Sequence, residues 1–488
     1  MTQKLKNYFN IKKGDTSQSL RTKLISNFSW LFTGSAGKIV LRLIASLYLA
    51  RILGPLGFGQ LSFAQAVLAY FILFIDSGLQ TFGTREIASV YENREQILGK
   101  ILVIRFVLII VSLIILLPSA PLLTPSTATK NLLILFSLAL IPIGSNLAWF
   151  FRGIEQMMIV AASDLLQISF YLALIILLVK SPDQIILVPI IFVVGHTLST
   201  LFLSGIYIYQ QRLPKLSFSL RDNWKFFRSA FPIITILFFL QIYYNLDILM
   251  IGFYMDELKV GLYNAAYRIV MGVIILSTVL MQSVYPTFSK LYRENPLEVS
   301  KLLKKTLSLS IIISIPIGVA GTILSRPLMV TLFGSAFSDS KSAFQILVWS
   351  AMLALLAANY GYCLVACHQQ KALAVSTGIG TAVNIILNML LIPRLGIMGA
   401  SLATIIAQVV MLIFQIAVFA RRIYPTLPPA LLVFKVFVAG LSMVIVIINL
   451  NSLINFLGQL FIGSIVYFLI LILLKGGSLQ IISLFRRE

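Results

Sequence analysis

Charge is scarce in this chain, and cysteine and histidine are nearly absent. Only 11% of its 488 residues are Asp, Glu, Lys or Arg, against about 25% in soluble domains. Beside 59% hydrophobic residues, that deficit excludes a soluble enzyme, a disordered chain and a nucleic-acid-binding protein. Two cysteines and two histidines give no disulfide framework and no zinc pattern. The C-x3-C-H cluster of Cys363, Cys367 and His368 reads as packing. No Walker lysine loop, dinucleotide fingerprint or nucleophilic triad appears, so neither ATP hydrolysis, other enzymatic chemistry nor a bound cofactor or metal is expected. Acidic residues are the scarcest charge, 16 against 38 Lys and Arg, for a net charge of +22.

What the chain does have is apolar blocks about 20 residues long, the length that spans a bilayer as a helix. Fourteen are predicted, at 26–50, 58–82, 101–119, 130–150, 158–180, 186–208, 230–253, 262–286, 307–331, 343–366, 372–392, 397–419, 430–449 and 456–474. Alternating ten-residue segments are missing, which favours helices over a barrel. The basic N-terminus precedes an apolar run about twice the length of a signal-peptide core, so that run is read as a retained helix. An even count puts both termini on one side. With that side inside, the inner segments hold 26 of the 38 basic residues, and the outer connections together with the outer ends of the spans hold 7. This bias predicts both termini in the cytoplasm.

The expected fold is an all-α polytopic membrane protein. Its parts are a basic cytoplasmic N-terminus (1–25), a six-helix N-lobe (26–211), a cytoplasmic linker (212–229), a six-helix C-lobe (230–420), a terminal helix pair (421–474) and a cytoplasmic tail (475–488). Residues 53–67 align weakly with 255–269, superposing Gly59 on Gly261. Such parallel repeats are a known transporter plan, with the substrate between the halves. Gly34 and Gly37 predict close helix contact in the first span, and Pro142, Pro232 and Pro316 predict kinks.

Charges inside spans are costly, about 2.5–3.5 kcal/mol each, and so mark candidate sites. Lys38 and Arg42, four residues apart, share one helix face. Arg268 lies about six residues from the outer end of its span. These cations suit a water-filled cavity for an anionic substrate, the planar Arg fork matching phosphate. The competing reading pairs Lys38 or Arg42 with Asp76. Asp76, Asp164 and Asp247 are candidates for ion coupling or for charge pairing. Arg105 and Lys435 are expected to snorkel to the surface, and His196 to make a hydrogen bond between helices.

The strings RILGPLGFGQLSFAQAV (51–67), DSGLQTFGTREIA (76–88), WFFRGIEQM (149–157), VGLYNAAYR (260–268), LFGSAF (332–337) and IPRLGIMGASLAT (392–404) resemble, in order, the polysaccharide transporter family. These are O-antigen and exopolysaccharide flippases of the multidrug/oligosaccharidyl-lipid/polysaccharide exporter superfamily. The resemblance implies two lobes in a V around a central cavity, in a bacterial inner membrane. It implies transfer of undecaprenyl-diphosphate-linked oligosaccharide units to the outer leaflet, with membrane lipids, a polysaccharide polymerase and a chain-length regulator as partners. Lys38, Arg42 and Arg268 would then meet the diphosphate, and Arg51 would assist release. Tyr243, Tyr244, Asn245, Tyr263 and Asn264 would meet sugars. A peptidoglycan-precursor flippase and a cation-coupled drug exporter of the same superfamily are the alternatives.

Overall fold

The computed structural model describes residues 17–89, 93–124, 126–210, 219–450 and 454–474. Residues 1–16 of the basic N-terminus, 212–218 of the linker and the tail from 475 lie outside them. The described residues form helices without strands. Twelve helical stretches are long and apolar enough to cross a membrane. The first of these contains two of the predicted spans, and the span predicted at 230–253 falls in a further long helix, Leu220–Tyr254. The chain is a multi-pass membrane protein.

Helix α1 (Ser17–Asp76) is two spans joined by a kink at Gly54, φ 67° and ψ 179°. Pro55 removes an N–H and bars its neighbour from helical geometry, and glycine tolerates the resulting positive φ. Then come α2 (Leu79–Ser89) and α3 (Arg94–Leu123). The span predicted at 130–150 is broken into α4 (Thr127–Ser137), α5 (Leu140–Gly144) and α6 (Ala148–Gly153). The break at Pro142 is held by side chains, as freed carbonyls in a bilayer must be. Thr200 Oγ1 donates to the Pro142 carbonyl at 2.7 Å, and Asn146 Nδ2 to Ser199 Oγ at 3.2 Å. Helices α7 (Met157–Leu178) and α8 (Leu187–Gln210) complete the N-lobe.

The C-lobe consists of α9 (Leu220–Tyr254), α10 (Glu257–Glu294), α11 (Pro296–Ile323), α12 (Ser325–Phe333), α13 (Ser340–Ala366), α14 (Gln370–Leu395) and α15 (Ile397–Arg422). The span predicted to reach residue 331 stops at Ile323, and the short α12 follows. Helix α11 runs on through Pro316. The terminal pair, α16 (Ala430–Asn449) and α17 (Phe456–Leu473), packs on α11, where Tyr467 donates to the Ile312 carbonyl at 2.9 Å. The outer faces of this pair expose Phe434, Phe437, Ile445, Leu457 and Phe461, as a lipid-facing surface would.

Small residues bring backbones together where apolar burial supplies no drive. A Cβ on Gly34 would sit 2.7 Å from Ala161 Cβ, so α1 and α7 touch closely there. The lobes meet most tightly at the end of the bundle remote from the chain termini, here called the far end. A Cβ on Gly59 would lie 1.6 Å from the Glu257 carbonyl oxygen, and one on Gly261 would lie 1.9 Å from the Pro55 oxygen. Asn264 Nδ2 donates to Ser62 Oγ at 2.5 Å. All these pairs follow the register of the repeat alignment, so equivalent residues of the two lobes meet around a local two-fold axis.

Glu257 reinforces the seal. It accepts from Gln60 Nε2 at 2.9 Å, from Thr124 Oγ1 at 3.3 Å and from Thr129 Oγ1. Phe58 packs on Phe333 and Phe337 beside it. At the opposite end Phe227 of α9 packs against a buried N-lobe cluster that includes Leu98, Trp149 and Tyr207.

Candidate substrate cavities

The intramembrane charges separate into three groups. Arg105 and Asp76 form a buried ion pair at 2.5 Å, their side chains 5% and 22% exposed. Arg105 also lies 6.0 Å from the Trp149 ring centroid. This corrects two expectations. Arg105 does not snorkel, because α3 continues around it and a carboxylate is in reach. Asp76 is consequently not the partner of Lys38 or Arg42. Removing one member of a buried pair strands the other charge, which costs about 3–5 kcal/mol. Asp76→Asn is therefore expected to lower the thermal unfolding midpoint in detergent, and adding Arg105→Met should recover most of the loss. An unchanged midpoint in Asp76→Asn would show that the pair contributes nothing.

Lys38 is also paired, with Asp164 of α7 at 2.6 Å. Arg42, one turn further on, makes no hydrogen bond or ion pair with any described residue, although Asp164 is close enough to attract it. By occupying Asp164, Lys38 leaves the Arg42 guanidinium available. Arg42 lines a cavity of about 230 Å³ with Ser46, Gln65, Gln167, Tyr171 and Arg268. Arg268 belongs to the C-lobe and crosses the lobe boundary, its Nη2 donating to Gln65 Oε1 at 3.3 Å. Two guanidiniums thus face one small space whose described lining residues include no carboxylate. Such a focus of positive potential draws anions. His196 stands beside this cavity, hydrogen-bonded to Gln167 of α7 at 3.1 Å and packed on Phe192.

A larger cavity, about 630 Å³, lies within the C-lobe. Tyr243 and Tyr244 line it, joined by Tyr267, Tyr285, Tyr362 and Gln408. Tyr243 donates to Gln408 Oε1. Asn245 instead bonds to the Gln241 carbonyl of its own helix at 3.3 Å.

Other expected site residues lie elsewhere. Tyr263 is fully buried and donates to Asp247 at 2.7 Å. Asn264 is held at the lobe boundary by Ser62. Neither lines either of the two cavities described, and each packs between helices. Arg51 lines neither cavity. It donates from Nε to the Leu332 carbonyl at 2.9 Å and from Nη2 to the Thr331 carbonyl, tying α1 to α12 at the far end.

Asp247 is buried among donors. Thr404 Oγ1 reaches it at 2.7 Å and Asn388 Nδ2 at 2.5 Å, besides Tyr263, and Asn388 also donates to Asn384 at 3.1 Å. Among the described residues no cation pairs with it. Sequence reading missed Asn384 and Asn388, although an i, i+4 amide pair in an apolar span was a visible signal. Gln408 and Gln415, seven apart on α15, were another. Cys363 and Cys367 are buried free thiols.

Known proteins agree with this architecture. The profile of the family described as polysaccharide biosynthesis protein matches residues 24–292, and that of the MatE family matches 232–390. The chain belongs to the polysaccharide biosynthesis protein family. A protein of Escherichia coli (strain K12) named as an O-antigen transporter is 25% identical over 293 residues, which are 59% of this chain and 70% of that one. A protein of Haloferax volcanii named as flippase AglR is 28% identical over 209 residues, 42% of this chain and 44% of that one. Among solved structures, the lipid II flippase MurJ in an inward closed conformation superposes with a TM-score of 0.77 at 18% identity, covering 90% of this chain and 97% of that one. An inward-facing multidrug resistance MATE family transporter gives 0.66 at 16%, covering 79% and 94%. These two likenesses concern the fold.

Proposed function

We propose that the chain is a membrane flippase for glycans linked to a polyprenyl diphosphate, the undecaprenyl form in a bacterial inner membrane. The observation that carries this is the cavity in which Arg42 of one lobe and Arg268 of the other face each other's space without a carboxylate. A diphosphate is the doubly anionic group that such a pair suits, each guanidinium offering a bidentate fork. Because the arginines come from different lobes, bringing the lobes together around the anion also couples binding to movement. The charge bias of the loops supports an orientation with both termini in the cytoplasm; in that orientation the sealed far end faces outward and the substrate enters from the cytoplasmic leaflet. The lipid tail stays in the bilayer throughout. Asp76 and Asp164 are committed to ion pairs, which leaves Asp247 as the acid available to couple a cation.

The test is a translocation assay in sealed vesicles. Purified protein is reconstituted with undecaprenyl-diphosphate-linked oligosaccharide, and exposure of the glycan on the opposite leaflet is read with a lectin. The expected result is protein-dependent exposure within minutes, with a drug panel showing no efflux. Efflux of cationic drugs without glycan movement would assign the chain to the exporter alternative. Movement of lipid II alone would assign it to peptidoglycan precursors.

A further inference from the structure

We infer that the C-lobe cavity reads the glycan itself and that it selects repeat units free of acidic groups, built from neutral hexoses and N-acetylhexosamines. This rests on the flippase reading above and adds the class of sugar.

The first observation is composition. The walls of the larger cavity set tyrosines, amides and hydroxyls among apolar residues, and none of its described lining residues is Lys, Arg, His, Asp or Glu. Aromatic faces pack against the C–H faces of sugar rings, and amides exchange hydrogen bonds with hydroxyl and acetamido groups. The rings stand at steep angles to one another. Tyr243 meets Tyr244 at 77°, and Tyr285 meets Tyr362 at 72°. That makes a corner with more than one face on offer rather than a flat slot.

The second observation is an open valence. Gln415 lines the cavity, is 2% exposed and donates Nε2 to Ser376 at 3.3 Å. Its Oε1 is buried with no partner. A buried acceptor without a partner is costly and uncommon, and a small shift of the wall that opened it to the cavity would let a sugar hydroxyl or an acetamido N–H satisfy it.

The third observation is the lack of a counter-charge. Thr404 both lines the cavity and donates to Asp247. A uronic acid in the cavity would find no cation among the described lining residues. Burying an ion without a counter-charge is strongly unfavourable. Charge recognition is instead concentrated in the smaller cavity at Arg42 and Arg268. The two cavities therefore divide the substrate between them, the diphosphate going to one and the uncharged sugars to the other. At about 630 Å³ the larger one falls in the usual range for ligand pockets.

The experiment compares two probes in the vesicle assay. One is an undecaprenyl-diphosphate trisaccharide of N-acetylglucosamine and two hexoses. The other has glucuronic acid in place of the terminal hexose. The wild-type protein is expected to move the neutral probe at least tenfold faster. Thr377→Lys, which adds a cation at the cavity wall, should narrow or reverse that ratio. Equal rates for the two probes in the wild type would overturn the inference and leave the flippase reading standing. If neither probe moves, both readings fall together. If Thr377→Lys does not fold, the wild-type ratio still decides.

Discussion

Vesicles containing Arg42→Gln, Arg268→Gln protein are expected to show no lectin-detectable glycan transfer, with membrane insertion and unfolding temperature unchanged. Neither arginine is part of an ion pair among the described residues, and only Arg268 makes a hydrogen bond, to Gln65. Removing their charge therefore strands no partner. What is lost is the contact to the diphosphate. Each charge-assisted hydrogen bond contributes about 1.5–3 kcal/mol, so losing two corresponds to roughly a hundredfold to ten-thousandfold. Lys38 supplies an internal control. Lys38→Gln alone frees Asp164, which then competes with the substrate for Arg42, so transfer falls although Lys38 touches no substrate. Lys38→Gln with Asp164→Asn removes both members of the 2.6 Å pair and should restore most of the rate. Full activity in the double arginine variant would remove the basis for the diphosphate assignment. Failure of the second substitution to rescue would show that Lys38 contacts substrate itself.

The spans were legible because the bilayer imposes a length on every helix, and every predicted span falls on helix, though 130–150 is broken into three pieces and 307–331 into two. The Gly54–Pro55 kink was readable for the same reason, as a boundary between two apolar runs. What the residues alone left open was pairing. Lys38 lies as near in depth to Asp76 as to Asp164, and only the packing of α1 on α7, set by Gly34 against Ala161, brings Asp164 into reach. Arg105 was misread because its position near a span end suits snorkelling, whereas α3 extends to Arg94 and turns it inward towards Asp76. Tyr263 and Asn264 were assigned to sugar by residue type and by their place at the start of the eighth predicted span, yet they project from a face of α10 that packs into the protein. Arg268, four residues beyond Asn264, lies one turn along α10 and reaches the smaller cavity. Depth and charge thus found the cations, while helix rotation, which periodicity fixes poorly in an all-apolar span, decided which polar residues line a cavity.

Gly59→Val is expected to block transfer by a different route, preventing closure of the far end while leaving both cavities intact. At this position the obstacle is backbone. The added Cβ would fall 1.6 Å from the Glu257 carbonyl oxygen and 2.8 Å from the Gly261 nitrogen, and no side chain can rotate away to make room. Restoring van der Waals contact requires the two helices to part by roughly 2 Å. Close-packed contacts give way as units rather than by local yielding, so the wedge should carry with it the neighbouring Glu257 hydrogen bonds to Gln60, Thr124 and Thr129. A carrier that cannot seal one end has no state in which the other opens alone, and alternating access stops. Spin labels at Leu122 and Lys341, both exposed near the far end on opposite lobes, should report a longer and broader distance distribution in the variant. Gly205→Ala is the matching control, because a Cβ there meets nothing within 4 Å, and it should transport as the wild type does. Gly261→Val should reproduce the block, since the Pro55 oxygen opposes it at 1.9 Å by the same local symmetry. Normal transfer in both valine variants would mean that the glycine crossing is not the gate and that the lobes separate elsewhere.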